Sequence, residues 1–182
     1  MLATLLYVIG ILVLLALAGF VWGALHLRHS IKVADRAVAA VQISAINDLR
    51  AECEATFLQA FGEALSIDDL QASARILDAR LNQIESIKKA FARPDFYWYF
   101  VLPTGAYLGE LLRVHAGARW EVCANGGLQM TIRAGDGEAT TFPFDKVIKQ
   151  VTMGGRGDIM AYLLSAQEID KAIAQVAGEA TG

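Results

Sequence analysis

The sequence predicts an α+β protein with an N-terminal transmembrane helix, a helical hairpin, and then a small domain in which helices flank a short antiparallel sheet. Three observations predict it. The first 25 residues carry no charged side chain, the middle third repeats apolar residues every three or four positions, and an Asn-Gly turn separates two alternating runs near residue 125. We divide the chain into an anchor (1–27), a helical hairpin (28–93), the α+β domain (94–178) and a disordered tail (179–182).

The N-terminal run is long enough to cross a bilayer. Residues 2–25 form an uncharged stretch of 24 residues, and a helix needs about 20 to span the hydrocarbon core. Backbone groups inside lipid must pair internally, which favours a helix. A cleaved signal peptide is the alternative, with Ala-Leu-Ala at 16–18 as the cleavage site. It is less favoured, because no Lys or Arg precedes Arg28 and the uncharged run continues past that site.

The basic residues beside this run predict its orientation. Arg28, Lys32 and Arg36 follow the run, and only the α-amino group precedes it. Lys and Arg close to a span favour the cytoplasmic side, and Trp22 stands near the end of the run, where aromatic rings prefer the membrane interface. We therefore expect the N-terminus outside and the rest of the chain in the cytoplasm.

Two amphipathic helices are predicted after the anchor. The apolar stripe of the first consists of Val38, Val41, Ala45, Leu49, Cys53, Phe57 and Phe61. That of the second consists of Leu70, Ala74, Leu77, Leu81, Ile84 and Phe91. We expect Ser66 to cap the second helix, with Asp69 at its third position, and Arg93-Pro94 to end it. The stripes could pack on each other, on the C-terminal domain, or on a second subunit as a coiled coil.

The α+β domain begins with five consecutive aromatic residues (96–100). We interpret them as a buried strand or the start of a helix that packs on the hairpin, and contact with lipid or a partner is the alternative. The remaining predicted elements are a helix at 104–115, strands at 119–124, 128–133 and 139–142, a helix beginning at Pro143, and helical structure from Ile159 to about 176.

Composition argues against several classes of function. The net charge of −3 gives no electrostatic reason to expect nucleic acid. Cys53 and Cys123 stand far apart, and a metal site would need more ligands at closer spacing. We predict no metal and no cofactor.

Two stretches, GAYLGELLRVHAGARW (105–120) and FPFDKVIKQVTMG (142–154), resemble a bacterial family of small uncharacterised domains. The matching residues are Gly105, Tyr107, Gly109, Glu110, Trp120, Pro143, Phe144 and Lys146. The resemblance covers roughly residues 95–165. It implies a small α+β fold without an established activity, and a bacterial origin, which would make the membrane the inner membrane.

Glu110 is the polar residue of greatest interest, because apolar neighbours surround it on the predicted helix. A carboxylate in such a place pairs with a cation or has a raised pKa. Arg113, Arg119 and Lys146 are the available partners. A structural ion pair is the favoured interpretation, and ligand binding and catalysis are the alternatives.

Two further groups suggest chemistry weakly. The run Gly154-Gly155-Arg156-Gly157 before Asp158 could hold a phosphate at a helix N-terminus, although it lacks the Lys and Ser/Thr of a P-loop. Asp158 also fits an ordinary N-cap. His115 and Cys123 would form a hydrolase dyad only if they met at about 3 Å with a third orienting group.

No complete set of catalytic residues is visible, so we expect a non-enzymatic scaffold or interaction module held at the bilayer. Its partner would be another protein, or a second copy bound through the helices of residues 30–93. The alternative is a membrane-tethered small-molecule or nucleotide sensor that uses Glu110, Arg113, Arg156 and Asp158.

Overall fold

The computed structural model describes residues 41–90, 93–124, 126–134, 137–152 and 158–168, together with Val38. All of them lie within one unit, Arg36–Gly182. The predicted anchor 1–27, its flanking residues Trp22, Arg28, Lys32 and Arg36, the loop residue Arg156 and the tail 179–182 lie outside the described residues. Among the helices that the structure describes, none has the length and apolar character needed to cross a membrane.

The fold is α+β, as predicted. The helices are α1 (Ile46–Phe61), α2 (Leu70–Asn82), α3 (Ile84–Ala90), α4 (Arg93–Phe96), α5 (Leu102–His115), α6 (Pro143–Thr152) and α7 (159–168). The strands are β1 (Arg119–Val122), β2 (Leu128–Ala134) and β3 (Gly137–Thr141). A 3₁₀ turn (Ile43–Ala45) precedes α1, and a π-helical turn (Tyr97–Val101) joins α4 to α5.

The three strands form an antiparallel meander in the order β1-β2-β3. Met130, in the central strand, pairs with Trp120 on one side and Thr141 on the other. The predicted hairpin between β1 and β2 is present, although Asn125 lies outside the described residues: the Cys123 N–H donates to the Gly127 carbonyl at 2.9 Å, and Gly126 has a φ of +84°. Such a φ is open to glycine at little steric cost, which explains Gly at this position.

The apolar stripe of α1 is covered by α5. The ring of Phe57 stacks on Phe100, just before α5, with centroids 5.9 Å apart, and the Cys53 thiol lies beside Thr104. Of the three partners considered for this stripe, the structure therefore shows the C-terminal region of the same chain. This packing brings residues of the predicted hairpin (28–93) against residues of the predicted α+β domain (94–178).

The second predicted helix differs in its cap and its continuity. Asp69 caps α2, because its Oδ1 accepts from the Ala72 N–H at 2.9 Å. Ser66 lies one turn too early to reach that N–H, and its backbone instead bonds to the hydroxyl of Ser73. The helix is also interrupted at Gln83, which separates α2 from α3.

The aromatic run 96–100 is helical, the second of the two forms expected. The chain enters α4 at Arg93, so Pro94 lies in a first turn, where its missing N–H costs no hydrogen bond. Phe96 and Leu102 both have right-handed helical dihedral angles, so the π-helical turn between them continues the helix. The predicted stop at Arg93-Pro94 is thus followed at once by a new helix.

Candidate functional site

The glycines of the family-like motif form a flat face on α5. Gly105 and Gly109 lie one turn apart, and each faces an aromatic ring. A Cβ added to Gly105 would lie 2.5 Å from Cδ1 of Phe144, and one added to Gly109 would overlap the Cζ2 and Cη2 atoms of Trp120. Trp120 and Phe144 also pack on each other, with ring centroids 5.6 Å apart. The two glycines therefore let β1 and α6 approach the backbone of α5.

Glu110 stabilises this packing through hydrogen bonds to both of its carboxylate oxygens. Its side chain is 4% exposed. Oε1 accepts from the indole Nε1–H of Trp120 at 3.0 Å, and Oε2 accepts from Nε of Arg113 at 2.8 Å. Arg113 carries its charge outward, since 53% of its side chain is exposed. The geometry is that of a structural ion pair with an added neutral donor, which satisfies a carboxylate that would be costly to bury alone.

The other two cations considered for Glu110 lie elsewhere. Lys146 places its Nζ 5.4 Å from the ring centroid of Tyr162, and the cation that pairs with Glu110 is Arg113 rather than Arg119. The hydroxyls of Tyr162 and Thr141 are 2.7 Å apart, and burial raises the pKa of Tyr162 to about 12. Lys146 and Tyr162 thus hold α6 against α7.

Tyr107 joins α5 to α2 through a hydrogen-bond chain. Its hydroxyl lies 2.9 Å from the Oγ of Ser73, which donates its own proton to the carbonyl of Ser66 at 2.8 Å. Ser73 has only one hydroxyl proton, so Tyr107 must be the donor to Ser73. Burial raises the pKa of Tyr107 above its ordinary range. This role of Ser73 could not be predicted from the sequence, where it is only a small polar residue inside a helix.

The start of α7 is occupied by two carboxylates. Asp158 caps the helix, with Oδ1 accepting from the Ala161 N–H at 2.7 Å. Asp78 of α2 accepts from the N–H groups of Ile159 and Met160 at 2.7 and 3.2 Å. A phosphate at this helix start would need the same N–H groups. The contact between Asp78 and Ile159 joins residues that are 81 positions apart along the chain.

The residues of the hypothetical hydrolase dyad each have a partner outside the pair. The Nε2 of His115 lies 2.8 Å from the carbonyl oxygen of Ile67, and the Cys123 thiol donates to the carbonyl of Gly127 at 3.1 Å.

Burial raises the pKa of the other cysteine thiol, that of Cys53, well above its ordinary value, so that group is held in its unreactive protonated form. Within the part of the chain that the structure describes, no cluster of three or more His, Cys, Asp or Glu side chains could hold a metal ion.

The family resemblance implied eight matching residues, and the structure brings five of them together around α5: Gly105, Gly109, Glu110, Trp120 and Phe144. No family model, curated protein or solved structure matches the chain. The resemblance to a bacterial domain family therefore stays a prediction. What the geometry establishes is a packed junction of three elements, in which the motif residues hold β1 and α6 against α5.

Proposed function

We propose that this chain is a single-pass membrane protein whose folded unit is a rigid protein-binding module in the cytoplasm. The anchor and its orientation rest on the uncharged N-terminal run and on the basic residues that follow it. The folded unit would then present its surfaces close to the inner face of a bacterial inner membrane.

A binding module is favoured over a sensor or an enzyme because the polar side chains that could bind a ligand or catalyse a reaction instead hold elements of the fold together. Glu110 joins α5 to β1, and Asp78 joins α2 to α7. A ligand at Glu110 would have to displace Trp120 or Arg113 from the carboxylate. Such links produce a stiff surface, and stiffness favours recognition by lowering the entropy lost on binding.

The surface that remains has several exposed large apolar side chains, the kind that protein interfaces use at their centres. They are Ile43, Leu58, Trp98, Tyr99, Val114, Val122, Phe142 and Leu164. Of these, Leu58 stands on α1, within the segment expected to mediate self-association. Because α5 covers the original stripe of α1, a second copy would have to use the exposed face of that helix.

Site-specific photo-crosslinking in cells tests the proposal. Benzoylphenylalanine would replace Leu58 on α1 or Val122 on β1, with exposed, polar Arg75 on α2 as the matched control position. Two differently tagged copies of the full chain would be co-expressed. We expect membrane-bound adducts from an apolar position and none from Arg75. Adducts that carry both tags would identify a second copy. The proposal would be overturned if neither apolar position gave a crosslinked adduct, or if the chain were absent from the membrane fraction.

A melting experiment separates the binding module from the sensor. A sensor is stabilised by its ligand, by roughly 2.7 kcal/mol at a ligand concentration of 100 Kd. We expect nucleotides and small anionic metabolites to leave the melting temperature of the full chain unchanged. A shift that vanishes in a Glu110→Gln variant of normal stability would favour the sensor instead.

A further inference from the structure

The π-helical turn between α4 and α5 exposes two adjacent aromatic side chains, and buried aromatic rings on either side hold its backbone in place. Phe96 and Phe100 point into the core, and their rings stack with centroids 5.5 Å apart. Trp98 and Tyr99, between them, are 49% and 54% exposed. Phe100 also stacks on Phe57 of α1, so the backbone beneath the exposed pair is anchored from two sides. We refer to Trp98 and Tyr99 as the aromatic pair.

The chemistry of the aromatic pair fits a lipid–water interface. Indole and phenol rings each combine a large apolar body with one polar group, and both are enriched at the headgroup level of membranes. In water their apolar faces are unfavourably hydrated, whereas the interfacial layer solvates the ring and the polar group together. A single exposed apolar residue needs no explanation, but two large neighbouring aromatics on a rigid turn form a contact surface.

The length of the connecting chain favours the bilayer as the occupant of this surface. This step rests on the proposed anchor. Only ten residues (28–37) separate the predicted anchor from Val38, and fully extended they reach at most about 35 Å. A folded unit of roughly 130 residues has a diameter of about 36 Å by the usual scaling of the radius of gyration. Val38 is therefore always within about one domain diameter of the end of the proposed anchor, whereas a dissolved partner must be encountered by diffusion.

Local charge is compatible with this contact. Residues 85–95, just before the aromatic pair, contain three basic side chains, Lys88, Lys89 and Arg93, and two acidic ones, Glu85 and Asp95. The segment is thus slightly basic although the whole chain is acidic, so acidic headgroups would not repel it. We propose that Trp98 and Tyr99 insert into the interfacial layer of the bilayer that holds the anchor, which fixes one face of the folded unit on the membrane.

Quenching of tryptophan fluorescence by brominated lipid tests this in the full chain. The protein would be reconstituted in vesicles of phosphatidylethanolamine and phosphatidylglycerol that carry bromine near the headgroup. The three tryptophans are Trp22, Trp98 and Trp120, and a Trp22→Phe chain keeps the last two. We expect shallow bromine to quench this chain, and the further change Trp98→Phe to abolish the quenching, because the ring of Trp120 packs on Gly109 and Phe144.

A surface variant and a matched control test the contact itself. In the Trp22→Phe chain, Tyr99→Ser should reduce quenching at least twofold, because it removes half of the aromatic pair. Val122→Ser removes a side chain that is 62% exposed on the β1–β2 hairpin, and it should leave quenching unchanged. Both positions are exposed, so neither variant is expected to unfold the chain. Equal effects of the two substitutions would overturn the proposal.

The same measurement separates failure of this inference from failure of the anchor. A chain with only Trp22 and Trp120, made by Trp98→Phe, reports on the anchor through Trp22. If Trp22 is not quenched, the proposed membrane anchor fails. If Trp22 is quenched but Trp98 is not, the anchor stands and the aromatic pair does not touch lipid. In that case, blue-shifted emission from Trp98 would show that protein covers the pair.

Discussion

Replacing Gly109 by alanine tests whether the indole of Trp120 sits on the backbone of α5. The new Cβ would overlap Cζ2 and Cη2 of that ring and would lie 3.0 Å from Cε2. The ring cannot give way at small cost, because its Nε1–H donates to Glu110 and its face packs on Phe144. The substitution should therefore push β1 away from α5.

The expected magnitude follows from three opposing effects. Forcing an extra methyl into a packed site costs about 1–3 kcal/mol, and losing a hydrogen bond to a buried carboxylate costs about 1.5–3 kcal/mol. Alanine gains about 1 kcal/mol over glycine inside a helix. We expect a net loss of about 1.5–5 kcal/mol in the free energy of unfolding. If the ring did not lie on Gly109, the same change would stabilise the chain, so the sign alone is informative.

Urea unfolding of the full chain in detergent, followed by tryptophan fluorescence and circular dichroism, measures this difference. The control is the same substitution in a Trp120→Val background, where the obstructing ring is absent. There Gly109→Ala should be neutral or stabilising by up to about 1 kcal/mol. An equal loss in both backgrounds, or stabilisation in the parent chain, would refute the packing argument.

Three further predictions concern the links between elements. Glu110→Gln keeps an acceptor for the Trp120 indole, but the buried amide N–H₂ that replaces Oε2 would face the donor Nε of Arg113, so urea unfolding should show a loss of about 1–3 kcal/mol; a loss above about 3 kcal/mol would mean that the charge itself is essential. Asp78→Asn weakens the cap of α7 by about 1 kcal/mol, and hydrogen exchange should accelerate in 159–168 first; uniform acceleration would contradict this. Burial raises the pKa of Tyr162 to about 12, whereas an unfolded tyrosine titrates near 10, so the unfolded state loses its proton first and stability falls as pH rises from about 10 to about 12. Tyr162→Phe should remove part of that fall, and an unchanged slope would show that Tyr162 does not cause it.

Local sequence signals predicted those parts of the fold that depend on short-range chemistry. The turn at Gly126, the start of α6 at Pro143 and the antiparallel pairing of β1 with β2 are confirmed, because each follows from turn geometry or backbone restrictions within a few residues. The predicted N-cap of α2, Ser66, was wrong by three residues, because Asp69 is an equally good capping residue and is the one that caps the helix. Sequence alone cannot tell which of them lies next to the first helical turn.

Long-range partners could not be predicted in the same way. The pairing of Glu110 with Arg113 follows from helical spacing, but its bond to Trp120 depends on how β1 returns to α5. Asp78 accepts a hydrogen bond from α7, which lies far along the chain. The apolar stripe of α1 packs against α5, one of the three partners that the sequence left open. For α1 the apolar pattern predicted which face of the helix is buried. Tertiary packing determined which element covers that face.

The central claim is that an N-terminal anchor holds the folded unit on the cytoplasmic side of a membrane. Reaction of an impermeant maleimide with a cysteine at Thr181 tests it directly, in a Cys123→Ser chain compared with the same chain lacking the added cysteine. Cys53 can stay, because its thiol is buried and its pKa is raised. We predict labelling only after the cells are permeabilised. Labelling of intact cells would place the folded unit outside the membrane and contradict the account.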